Sequence, residues 1–212
     1  MLRDMYEPSS EGVWIDTFAS QIRLLKSQVP ALQVIDLVVE GGVGTGLSMN
    51  RVIRNAFPQS LYLGMELLAP GESVEKVIPE TSVWAMQHNF PRTILANCFD
   101  NDLIRDMMLK TGTKKPLLFS VNALAALDSY WLPGDCQKRG EYVPIEEWFS
   151  NSVPYVAHIH LERNGDIWRS ILEQDDVFGS HFKEVSGAAT THGWQVFQLT
   201  SGFAVVRPSE TS

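Results

Sequence analysis

Cysteine is nearly absent: Cys98 and Cys136 are the only two in 212 residues, and neither belongs to a CxxC pair. A disulfide framework or a structural zinc ribbon is therefore excluded, and reduced thiols in the cytoplasm are expected. Cations are also short, with 17 Lys and Arg against 25 Asp and Glu and a formal net charge of -8. Without a general basic surface, nucleic acid is not expected as a partner, and a small or cationic ligand suits the chain better. No apolar run approaches the roughly 18 to 20 residues that cross a bilayer, and the start MLRDMYEPSSEG has no apolar signal core, so no membrane association is expected. Internal repeats, low-complexity tracts and linkers are lacking too.

A 44% hydrophobic and 20% charged composition fits one sizeable core, so residues 1–212 read as a single domain. Within it, 1–30 form an N-terminal helical extension and 31–207 an α/β core. Trp14, Phe18, Ile22 and Leu25 recur at helical spacing and predict a helix over about 11–27, ending before Pro30. Such a helix packs against the core or a second copy, a homodimer being one arrangement open to it, or covers a site as a lid. The run QVIDLVVE (33–40) predicts a strand, and Met49, Val52, Ile53, Ala56 and Phe57 a following helix.

The alternation continues with strands at 61–67, 92–99, 116–121 and 156–162 and helices at about 72–89, 102–110, 144–151 and 166–173. This is the βαβα pattern of a doubly wound, Rossmann-like, mostly parallel sheet. The end differs: WQVFQLT and FAVVRP flank Ser201-Gly202, a hairpin signal, so the sheet should finish antiparallel. Residues 122–143 carry no assignable element, and a loop of that length is often functional.

Between the first strand and its helix lie Gly41, Gly42, Gly44 and Gly46, four glycines in six positions, preceded by the acid Glu40. A connecting turn needs one glycine. Several of them let a ligand come against backbone amides at the positive end of the next helix, beside the crevice where open parallel sheets bind ligands. A dinucleotide fingerprint would need a third glycine where Leu47 stands, which argues against a nicotinamide oxidoreductase, and no Gly-Lys-Ser/Thr of a phosphate-binding loop follows. The pattern is E-x-G-x-G-x-G. Twenty residues past Gly46, Glu66 ends the second strand, where a carboxylate can accept both hydrogen bonds of a ribose diol.

In these residues the chain resembles the class I S-adenosylmethionine-dependent methyltransferase family. The matching segments are Glu40 to Gly46, Gly64-Met65-Glu66, Asn97 to Asp100, and Phe119 to Leu127. The resemblance implies S-adenosyl-L-methionine as cofactor, with Glu40 near its amino group and Gly42, Gly44 and Gly46 accommodating the methionyl and ribose parts. It also implies Glu66 on the ribose hydroxyls, Asp100 and Phe99 at the adenine, and Ser120 and Asn122 beneath the sulfonium. It further implies methyl transfer to an O, N or C atom of a small molecule. A cofactor-binding domain that catalyses elimination or rearrangement, or serves as a binding module, is the alternative. No Asn-Pro-Pro-Tyr follows the fourth strand, unlike the amide- and nucleobase-amino-methylating groups, and no Asp-Asp or Asp-Asn pair stands there as in the magnesium-dependent catechol type.

Displacement at a sulfonium needs alignment and dryness first, and a base only where the acceptor must lose a proton. His158 and His160 share one face of the fifth strand and are the candidates for base or substrate-orienting roles, with His160 nearer the strand end. A hydrogen-bonded core histidine is the competing reading, and no metal site is expected although Glu162 shares their face. Tyr130, Trp131 and Trp148 are candidate walls for a planar acceptor.

Overall fold

The computed structural model describes residues 8–41, 47–66, 93–95, 101–121, 124, 145–163, 177–199 and 202–210. These divide into two compact units, Met1–Leu117 and Leu118–Ser212, each described by itself.

The first unit opens with helix α1 (Pro8–Gln28). Phe18, Ile22 and Leu25 form its buried stripe, as their spacing requires. Pro30 starts a 3₁₀ turn (Pro30–Val34), which buries Leu32 and carries the chain into strand β1 (Leu37–Gly41). The expected strand over 33–40 therefore begins four residues late. Proline fixes φ and is favoured in the first helical turn, so residues 33 and 34 coil before the chain extends.

Helix α2 (Leu47–Ala56) follows, with Val52, Ile53 and then Phe57 buried. The Lys26 ammonium donates to the Ala56 carbonyl and lies 4.5 Å from the Phe57 ring centroid, so α1 satisfies an open carbonyl at the end of α2. Strands β2 (Leu61–Glu66) and β3 (Thr93–Leu95) give the order β3-β2-β1, both pairings parallel. After helix α3 (Asn101–Thr111), Gly112 takes a φ of 70°, the left-handed value that ends helices. The backbone amides of Lys114 and Lys115 then donate to the Asp36 carboxylate, 2.8 Å each, fixing where the next strand starts. Of the expected 92–99 strand, only 93–95 is described; the 72–89 helix lies outside the described residues.

The second unit contains strand β4 (Pro116–Val121) from Leu118 on, helix α4 (Ile145–Asn151), strand β5 (Ala157–Arg163), helix α5 (Val177–Thr191) and strands β6 (Gln195–Leu199) and β7 (Gly202–Arg207). Their order is β4-β5-β7-β6. β7 runs antiparallel to both neighbours, with His158 opposite Arg207 and Gln195 opposite Val206, as the Ser201-Gly202 signal predicts. Helix α5 has no counterpart in the sequence reading. Its buried side is His181, Val185, Ala188 and Ala189, a stripe of small and polar residues that hydropathy alone reads weakly. The helix expected over 166–173 lies outside the described residues. Among the described residues, no helix is long and apolar enough to cross a membrane.

Candidate functional site

In the first unit, parallel pairing brings the carboxyl ends of β1 and β2 to one edge, since Glu40 lies opposite Gly64 and Gly41 opposite Met65. Glu66 is the last residue of β2, one step beyond that pair. Glu40 is 3% exposed, and a carboxylate buried that deeply requires hydrogen-bond donors or a cation. The Tyr62 hydroxyl donates to its Oε2. Gly42, Gly44, Gly46, Phe99 and Asp100 lie outside the described residues, as does the Glu66 side chain.

In the second unit, the candidate histidines belong to a closed polar chain. Ser120 on β4 places Oγ 2.7 Å from His160 Nδ1, and His160 Nε2 lies 3.2 Å from His158 Nδ1. Ser120 and His160 have no exposed surface, and His158 has almost none. Trp148 presents its ring near-perpendicular to His160 at 5.0 Å and to His158 at 5.7 Å, while Trp194 lies 4.7 Å from His158. Burial holds the His160 imidazole down at about 3. For His158, burial comes first, then the neighbouring His160 and the Arg207 charge, and together they hold it well below 6.5. Both rings are neutral at physiological pH.

Two neutral imidazoles in series allow two polarities, because each ring then has one N–H and one bare nitrogen. If His160 donates to His158, Ser120 gives its proton to His160 and turns lone pairs outward. If His158 donates to His160, His160 donates to Ser120 and the hydroxyl proton is left for another acceptor. The chain therefore fixes whether the Ser120 hydroxyl is donor or acceptor toward His160.

Glu162, the third residue on that face of β5, is held elsewhere. Its Oε1 accepts from the Leu124 amide at 3.1 Å, and its Oε2 lies 3.0 Å from His181 Nε2, both carboxylate and ring being fully buried. Among the described residues, no group of three His, Cys, Asp or Glu side chains is arranged for a metal. The sequence reading missed the partnership of His181 with Glu162, which joins α5 to β5. It also missed Trp194. After α5, Gly193 takes φ 78°, the Gly193 amide donates to Thr190 at 3.1 Å, and the Trp194 amide donates to Ala189 at 2.8 Å. This paired helix-ending motif turns Trp194 onto the histidines. Glycine-tryptophan directly after a helical stripe is the signal that could have revealed it. Asn122, Tyr130 and Trp131 lie outside the described residues, and Trp148 is placed as a wall of the histidine cluster.

No protein-family model matches the chain, and no curated protein matches it. Solved structures do. Streptomyces venezuelae DesVI aligns over 92% of this chain and 92% of its own, with a TM-score of 0.52 at 12% identity. The cofactor-bound structure of Rv0187 from MTB aligns over 91% and 81%, with a TM-score of 0.50 at 17% identity. The chain has the class I methyltransferase fold. The pyocyanin biosynthetic protein PhzM shares that fold over 92% of this chain, with a TM-score of 0.51 at 11% identity, though the chain spans only 54% of PhzM. It likewise spans 61% of an O-methyltransferase family protein from Burkholderia thailandensis, at 12% identity and a TM-score of 0.47.

Proposed function

We propose that this protein is an S-adenosyl-L-methionine-dependent methyltransferase acting on an O, N or C atom of a small molecule. The observation that carries the reading is the buried Glu40 at the carboxyl end of β1, directly before the glycine-rich segment, in a chain with the class I methyltransferase fold. A dry carboxylate at that edge fits a ligand bearing an ammonium group, and the parallel β2 ends beside it in Glu66, an acid of the kind that accepts from a ribose diol. The cofactor, when bound, supplies a methyl group on an electron-poor sulfur.

Roles are assigned unit by unit. In the first, Glu40 is the counter-charge for the amino group, Gly42, Gly44 and Gly46 let the ligand approach the backbone, Glu66 accepts from the ribose, and Phe99 and Asp100 hold the adenine. In the second, Ser120 and Asn122 are assigned to the reacting end of the ligand, and Tyr130 and Trp131 to the acceptor. His160, with His158 behind it, acts through Ser120: a ring held neutral is a poor proton store but a firm hydrogen-bond partner. Trp148 keeps that pair dry. The chain's contribution to rate is then orientation and exclusion of water, each of which supplies several kcal/mol in favourable cases (about 7 to 11 for orientation).

The test is incubation with the cofactor and a panel of small acceptors, read by mass spectrometry. A methyltransferase gives a product heavier by one methylene with stoichiometric S-adenosylhomocysteine. Cofactor breakdown without methylated product contradicts the proposal.

A further inference from the structure

Strand register puts Tyr62 opposite Val38 and leaves Gly64 opposite Glu40. Alternate residues share a face, so Tyr62 lies two positions back from Gly64 on the same face as Glu40. Glycine at 64 leaves no side chain directly across from the acid, and the Tyr62 ring reaches diagonally into that space to place its hydroxyl on Oε2. A tyrosine hydroxyl is an effective partner here because it donates one strong hydrogen bond to the carboxylate without neutralising it. An ionised carboxylate has about four acceptor positions, of which this contact takes one. A lysine or arginine in the same place would satisfy the charge and compete with a ligand's ammonium.

We propose that Tyr62 is a positioning residue that holds the Glu40 carboxylate for the amino-acid end of a sulfur-linked adenosyl ligand. This rests on the function proposed above and names a residue which that reading does not include. Its effect is confined to one end of the ligand, because Glu40 faces an ammonium and Tyr62 acts through Glu40. A residue that merely supports β2 would weaken binding of every adenosyl compound alike.

The experiment compares two ligands by calorimetry on the full chain: S-adenosylhomocysteine, which carries the amino-acid group, and 5′-methylthioadenosine, which lacks it. Tyr62→Phe keeps the packed ring and removes the donor. Its affinity for S-adenosylhomocysteine is expected to fall about tenfold, in the range of one hydrogen bond to a charged group, while that for methylthioadenosine is unchanged. In a Glu40→Gln background the same substitution is expected to add no further ligand preference. Equal losses for both ligands, no loss for either, or an undiminished effect in the Glu40→Gln background would overturn the proposal. Wild-type protein that binds neither ligand would sink the function reading and this inference with it. If the phenylalanine variant melts below the assay temperature, both titrations are repeated at a lower temperature at which circular dichroism shows it folded, where the same unequal losses are expected and equal losses overturn the proposal.

Discussion

A serine hydroxyl 2.7 Å from an imidazole nitrogen suggests an activated nucleophile or a general base, but burial assigns His160 a different property. An imidazole held at about 3 stays neutral through the physiological range and takes a proton only in strong acid. The acid-stability consequence follows from the sign of the shift. In the unfolded chain the ring titrates near 6.5; in the native protein it does not until pH 3, so below 6.5 the unfolded state binds the extra proton and gains stability. Full stability is present above pH 6.5 and is lost as pH falls toward 3. Between pH 7 and pH 5, His160 should cost the wild type about 2 kcal/mol that His160→Gln does not lose. Urea titrations of both proteins at the two pH values measure this; equal losses would contradict it. Ser120→Ala should destabilise the fold by about 1 to 3 kcal/mol at pH 7, since it leaves a buried ring nitrogen without its hydroxyl partner. Plots of kcat/KM against pH for wild type and His160→Gln should share the same inflections, whereas a wild-type inflection near 6.5 that vanishes in the variant would make His160 a titrating base.

At the scale of elements, one glycine directs an aromatic wall. Gly193 is left-handed, and a Cβ added there meets nothing within 4 Å, so the cost of substitution is backbone strain and not collision. Gly193→Ala is expected to destabilise by roughly 1 to 2 kcal/mol and to alter the near-ultraviolet circular dichroism as Trp194 shifts against His158. An unchanged melting curve and spectrum would show that the turn does not hold Trp194. Arg207 ties the other flank, donating to the Ser152 carbonyl at 3.0 Å and hydroxyl at 2.7 Å beneath the Trp194 ring.

The elements that were legible in the sequence are those with a plain local signal, whether a helical stripe, an unbroken apolar run or a turn pair. The stripe of α1, the apolar runs of β2, β4 and β5, and the Ser201-Gly202 turn between β6 and β7 are of that kind. Helix α5 is not, because its inward face is built from histidine and alanine, which become buried only when Glu162 and the sheet supply partners. The start of β1 was misread because QVID has strand-like composition, yet Pro30 commits its first residues to a tight turn. For the candidate site, residue types and spacing singled out Glu40 and both histidines as candidates, and the family resemblance added Ser120. Who bonds whom was not legible: Tyr62 to Glu40, Ser120 to His160 and Glu162 to the Leu124 amide join residues 22 to 40 positions apart. Pairings across that distance are products of register, which no local pattern reports.

For the molecule as a whole, an acidic chain with net charge -8 attracts a ligand that carries both an ammonium and a sulfonium, so raising salt should weaken S-adenosylmethionine binding. Ligand binding to the native state alone also stabilises it, by about 2.7 kcal/mol at a concentration one hundred times Kd, so a thermal melt with saturating cofactor should shift upward by several degrees. The most direct test is calorimetric titration of the full chain and of Glu66→Ala with S-adenosylhomocysteine. The account predicts one-to-one binding by the wild type and an affinity at least tenfold weaker in the variant. No heat of binding from the wild type, or identical affinities for the two proteins, would contradict it.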